Sequence, residues 1–186
     1  DTSGGHPHAV IGYCDLARPD VAATQLAAMR AHRNFRGVRF MLDHGGDGGE
    51  LAPLSQTSRG DWLADEHFLR GLALLDGLVF DMQLLPPQYD AAAAVCAQYA
   101  AVTFVVNHAG FPLTTDDAHF DTWRRGMRAL AASPNVYVKF GALGCYDRAR
   151  VWSLAEQQRY FDATLAAFGA ARVLIETNAP VDALVV

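Results

Sequence analysis

The chain has 186 residues, 51% of them apolar, with a formal net charge of −5 and a pI near 5.7. That length buries the core of one domain, and the acidic balance with scattered Lys and Arg excludes the basic footprint of a nucleic-acid binder. No apolar run is long enough for a membrane span, and Cys14, Cys96 and Cys145 are too few and too far apart for a disulfide framework or a structural zinc. The expectation is an enzyme-like domain with free thiols in the cytoplasm. Its partner is a small molecule, not nucleic acid or membrane, and a homo-oligomer is compatible with that.

Residues 9–14 form a short strand-forming run, and the Ala-rich stretch 21–31 that follows has helical spacing. Residues 37–42 read as a second strand, after which 43–59 are too rich in Gly and Ser to be regular and suggest one wall of a site. A helix is predicted over 61–75, a strand over 78–84, a helix over 88–100 and a strand over 102–108. A helix over 120–132, a strand over 136–140, a helix over 152–168 and a strand over 173–178 complete the chain. Such alternation predicts α/β architecture with a parallel sheet and outer helices, and the absence of a closing helix predicts a piece of a larger barrel.

Strands of a parallel sheet covered on both faces read as almost purely apolar, so each polar residue in them needs an explanation. By the two-residue period Asp81 and Gln83 share a face, as do Glu176 and Asn178. Lys139 stands inside an otherwise apolar strand, and a buried pairing of Lys139 with either Glu176 or Asp81 would satisfy it without any reaction. The same period places His108 with Phe104 and Val106, at the mouth of its strand. Arg39, beside the Gly-rich loop, suits a planar fork for a carboxylate or carbonyl. His6 and His8 have the spacing of a metal pair but precede a strand rather than end one, and a solvated loop is the expectation.

Four motifs carry a resemblance. Phe35-Arg-Gly-Val-Arg39 resembles R-G-I-R, Val105-Val-Asn-His108-Ala-Gly-Phe-Pro112 resembles L-D-H-x-G-x-P, and Asn135-Val-Tyr-Val-Lys139-Phe-Gly-Ala-Leu143 resembles N-V-x-V-K-L-S-G-L. The stretch from Phe168 through Arg172, Glu176, Asn178 and Pro180 to Asp182 resembles F-G-x-x-R-x-M-F-E-S-N-F-P-V-D. Together they resemble the amidohydrolase-related family of TIM-barrel hydrolases, in its lactonase-like branch. The resemblance implies a partial (β/α)8 barrel, strands three to eight, over residues 1–186.

It further implies hydrolysis of a small carbonyl substrate, the ring ester of a lactone, with His108, Glu176, Asn178 and Arg39 as catalytic residues and Asp81, Gln83 and Lys139 lining the substrate. His108 would be one ligand of a divalent metal, zinc first among the candidates. Two departures bear on this: the family's first-strand His-x-His pair is missing, and Asn178 stands where an Asp usually activates water. A neutral amide cannot take that proton, which leaves Glu176 as the alternative base. The rivals are a metal-dependent decarboxylase of the same family and a non-catalytic barrel piece, and this chain alone is expected to be inactive or self-associating because its sheet edges are open.

Overall fold

A computed structural model describes residues 7–46, 61–143 and 152–179. Six strands, β1 (Val10–Gly12), β2 (Phe35–Met41), β3 (Val79–Gln83), β4 (Thr103–Val106), β5 (Val136–Phe140) and β6 (Val173–Ile175), pair in chain order in one parallel sheet. The helices α1 (Pro19–Arg30), α2 (Glu66–Leu72), α3 (Tyr89–Gln98), α4 (Asp117–Ala131) and α5 (Leu154–Phe168) lie between them. The result is a curled part of an α/β barrel, open at β1 and β6, as the alternation predicts. Residues 47–60, His6, Cys145, Pro180 and Asp182 lie outside the described residues.

Local chemistry starts the helices where they start. Asp65 accepts from the backbone N–H of Phe68 at the head of α2, Asp116 from that of His119 at the head of α4, and Ser153 exchanges bonds with Glu156 in a capping box before α5. In α4, Phe120, Trp123, Met127 and Leu130 recur at helical spacing and are all buried. Each such side chain contributes about 1.5–3 kcal/mol against the sheet.

The core occupies the space between helices and sheet. Val38 and Phe40 of β2, Phe80 and Met82 of β3, Phe104 and Val106 of β4, and Val136 and Val138 of β5 all face it and are buried. Edge-to-face ring contacts run from Trp62 through Phe40, Phe68 and Phe80 to Phe104. Gly37 is required where β2 crosses β3, since a Cβ there would stand 2.0 Å from the carbonyl oxygen of Val79.

The alternate residues face the concave side, where Arg39 pairs in register with Asp81, Asp81 with Val105, and Val105 with Tyr137. Several apolar side chains at the two open ends remain exposed: Tyr13 beyond β1, Met41 on β2, and Leu174 and Ile175 on β6. Cys14 and Cys96 are buried free thiols, and burial pushes them up to about 11 and about 12. Among the described residues no helix is long and apolar enough to cross a membrane.

Candidate functional site

The C-terminal ends of the strands converge on two linked polar groups. In the first, Arg39 Nη2 donates to Gln83 Oε1 at 2.8 Å and lies 3.2 Å from His108 Nε2. His108 Nδ1 is 2.6 Å from Glu176 Oε1, and the same oxygen accepts the His108 backbone N–H at 2.8 Å. Gln83 Nε2 donates to Asp43 Oδ2 at 2.6 Å. In the second, Lys139 Nζ donates to Asp81 Oδ2 at 2.6 Å and to Asn107 Oδ1 at 3.1 Å.

The protonation of His108 follows from its neighbours. A guanidinium can only donate, so Nε2 accepts from Arg39, which leaves the ring proton on Nδ1, where the Glu176 carboxylate receives it. Burial by itself would raise the Glu176 carboxyl. The hydrogen bonds from the His108 ring and the His108 backbone N–H, with the Lys139 ammonium, outweigh it and hold Glu176 below the usual carboxylate range. Asp43 shows the opposite balance: burial pushes it up, against the pull of Gln83 and Arg39.

His108 reaches this cluster by a route the strand period does not foresee. Strand β4 ends at Val106, and continued alternation would aim His108 with Phe104 and Val106 toward the helices. Instead His108, Ala109, Gly110 and Phe111 all have left-handed backbone, with φ of 55°, 51°, 70° and 54°. Three of these are not glycine, each at a cost of about 1–2 kcal/mol. The turn is held from three sides. Trp123 Nε1 donates to the Ala109 carbonyl at 2.7 Å, Tyr89 Oη donates to the Gly110 carbonyl at 2.6 Å, and Glu176 takes the His108 N–H. Strain held in place by its surroundings is a common property of functional sites.

The predicted strand to Asn178 likewise stops early, at Ile175, so the pleat does not relate Glu176 to Asn178. Glu176 enters the concave side through its bonds to His108, whereas Asn178 is half-buried in a left-handed turn at φ 50°. Gly141 makes the room: a Cβ there would stand 2.4 Å from the Glu176 carbonyl oxygen and 2.7 Å from its Cγ.

Of the residues singled out in the sequence, Arg39, Gln83, His108 and Glu176 meet in one group and Asp81 and Lys139 in the other. The open choice of partner for Lys139 resolves to Asp81. His8 is exposed ahead of β1. Two members were missed: Asp43, hidden in a stretch read as loop, and Asn107, inside a stretch read as strand, although the two-residue period sets it on the face opposite Phe104 and Val106, a usable signal. Both are fully buried, and Asp43 Oδ1, Asp81 Oδ1 and Asn107 Nδ2 have no hydrogen-bond partner among the described residues.

A cavity of about 440 Å³ lined by Ile11, Gly12, Tyr13, Arg39, Phe40 and Met41 opens beside Arg39. Arg39 reaches Gln83 and His108 through Nη2 alone in these two contacts, and its planar fork carries further N–H donors suited to a substrate oxygen. Another cavity, of about 460 Å³, lies elsewhere, among Pro86, Pro112, Trp123 and Tyr160, and contains none of these groups. The chemistry therefore selects the cavity beside Arg39.

The amidohydrolase family pattern matches residues 2–184. An uncharacterised protein of Sinorhizobium fredii, y4mH, is 30% identical over 184 residues, covering 97% of this chain and 59% of its own length. An L-fucono-1,5-lactonase of Burkholderia multivorans is 31% identical over 183 residues, covering 93% of this chain and 57% of its own. A crystal structure of an amidohydrolase from Burkholderia multivorans with bound zinc superposes with a TM-score of 0.78 at 28% identity, covering 98% of this chain and 62% of that one. The chain thus spans less than two thirds of the length of the curated relatives it matches.

Zinc would need donors from the residues in place. His108 Nε2 would have to supply its lone pair, and a guanidinium cation already occupies that direction at 3.2 Å. Among the described residues no group of three His, Cys, Asp or Glu could hold a metal ion. The described residues by themselves do not fit zinc.

Proposed function

The chain belongs to the amidohydrolase family, and we propose on that premise that the protein hydrolyses the ring ester of a lactone at the Arg39, His108 and Glu176 cluster. The observation that carries this reading is the single-file contact of carboxylate, imidazole and guanidinium, with His108 Nδ1 against Glu176 and Nε2 against Arg39. The likeness to the L-fucono-1,5-lactonase supports the choice of a lactone over other carbonyl substrates.

In this reading the lactone carbonyl oxygen takes over the Arg39 donors, which uncovers His108 Nε2. Water attacks the carbonyl carbon while Nε2 accepts its proton, and the resulting imidazolium is stabilised by Glu176. Arg39 holds the oxyanion as negative charge develops. The ring C–O bond then breaks, and the imidazolium returns the proton to the leaving alkoxide, giving the open hydroxy acid. Lys139, held by Asp81 and Asn107, offers a second positive group on the floor; its side chain is 24% exposed. Asn178 orients substrate, since its amide cannot serve as the base.

We place the protein in the cytoplasm, where buried thiols stay reduced. In this length the open sheet self-associates through the exposed Tyr13, Met41 and Ile175 side chains and turns over poorly. A panel of sugar δ-lactones and aromatic acids, followed by acid release and by carbon dioxide release, tests the reading. Lactone opening abolished by Arg39→Ala and by His108→Ala supports it, and carbon dioxide release without lactone opening selects the decarboxylase instead.

A further inference from the structure

Asp43 is fully withdrawn from solvent, more so than any other Asp, Glu, Lys or Arg among the described residues. Gln88 accepts the backbone N–H of His44 and of Leu85 at 3.0 Å each and donates to the Leu42 carbonyl at 3.5 Å and to Asp61 Oδ1 at 2.8 Å. The Leu42 N–H in turn donates to the Gln83 carbonyl at 2.8 Å. The residues on both sides of Asp43 are therefore clamped, and its carboxylate is presented to Gln83 from a fixed frame.

A glutamine amide has one donating and one accepting end. An ionised carboxylate only accepts and a guanidinium only donates, so an amide placed between them has one satisfied orientation. With Asp43 on one side, Gln83 must turn Nε2 toward it and Oε1 toward Arg39, as observed. We infer that Asp43 is a positioning residue, which through Gln83 sets the place of Arg39 against His108 Nε2. Without the carboxylate the amide is free to turn, Nε2 then faces Nη2 donor to donor, and Arg39 moves off the ring. For its effect on turnover this inference rests on the hydrolase reading; for its effect on Arg39 it does not.

The test compares Asp43→Ala with Asp43→Asn. Both remove the charge, but asparagine can still turn its carbonyl to Gln83 Nε2. Ring 15N spectra of His108 at one fixed pH report whether Nε2 still receives a proton, and lactone kinetics report the consequence. In Asp43→Asn the Nε2 signal stays in place and kcat/KM remains within about tenfold of the parent, the scale of one neutral hydrogen bond. In Asp43→Ala the signal moves to that of an uncapped lone pair and kcat/KM falls about 100-fold, the cost of a reactive group displaced by about 1 Å.

An unchanged Nε2 signal in Asp43→Ala overturns the inference, and so does an equal displacement in Asp43→Asn, which would assign the effect to charge. If Asp43→Ala does not fold, Gln83→Met keeps Asp43 while removing the amide. It must release Arg39 in the same way, and retention of the contact overturns the inference. The lactone kinetics bear on the hydrolase reading alone, because the ring spectra by themselves decide where Asp43 holds Arg39.

Discussion

Replacing Gly126 by alanine should destabilise the protein, the reverse of what the substitution does in an ordinary helix. In the middle of a helix Gly→Ala stabilises by about 1 kcal/mol. Gly126 lies in α4, and a Cβ there would stand 2.0 Å from Cδ2 and 2.5 Å from Cγ of Tyr89. Those atoms belong to the base of a buried ring, so the whole side chain must move. Overpacking of this kind costs about 1–3 kcal/mol.

Displacing Tyr89 also removes the 2.6 Å bond to the Gly110 carbonyl, and leaving that buried acceptor unmet costs about 1–3 kcal/mol more. Burial holds the Tyr89 phenol well above its ordinary range, so the hydroxyl keeps its proton and this bond persists across the working pH range. Net of the helix gain, Gly126→Ala loses about 3 kcal/mol, which lowers Tm by about 6–12 °C for a chain of this size. Urea unfolding followed by far-UV circular dichroism measures the first figure and calorimetry the second. Tyr89→Phe isolates the hydrogen bond and should lose about 1–3 kcal/mol with the helix unaltered. A Gly126→Ala protein as stable as the parent, or more so, would refute the claim that this glycine holds Tyr89 against the left-handed turn at His108.

Three further outcomes follow from the same geometry. Because the folded Glu176 lies below its ordinary value, its ionised form contributes stability above the unfolded value of about 4.3 that is lost as pH falls through the lower folded value. Glu176→Gln should flatten that acid limb in urea titrations at stepped pH, and parallel curves for the two proteins would count against it. Gly141→Ala should drive the Glu176 backbone and Cγ away from β5, costing about 1–3 kcal/mol and breaking the His108 contact, visible as loss of the hydrogen-bonded Nδ1 proton in NMR spectra. Dialysis against a strong chelator should leave lactone turnover unchanged, since Arg39 and not an ion faces His108 Nε2; loss of activity restored by zinc would reverse that assignment.

The site joins residues far apart in the chain through groups whose polarity leaves little choice. Arg39 and Gln83 are 44 positions apart, and His108 and Glu176 are 68 apart. Parallel pairing in chain order brings them together, because each strand delivers its last polar residue to the same end of the sheet. The left-handed turn adds the step that the sheet cannot supply, rotating the imidazole from the helix side into the barrel.

Much of this was legible in the linear pattern. Strand and helix alternation specified the parallel sheet, and β5 occupies the residues expected of it. The two-residue period put Asp81, Gln83 and Lys139 on a concave polar face because side-chain direction in a strand is a local property. That period failed at His108 and at Asn178, where the strands had already ended and the backbone turned left-handed. Positive φ in non-glycine residues is stabilised by distant partners, here Tyr89, Trp123 and Glu176, and no local preference announces it. The sequence left Lys139 a choice between Glu176 and Asp81, and it concealed Asp43 in a stretch that reads as loop. Only the tertiary structure decided these, because which buried donor meets which acceptor depends on the register of strands and the clamping of loops many residues away, not on the neighbours along the chain.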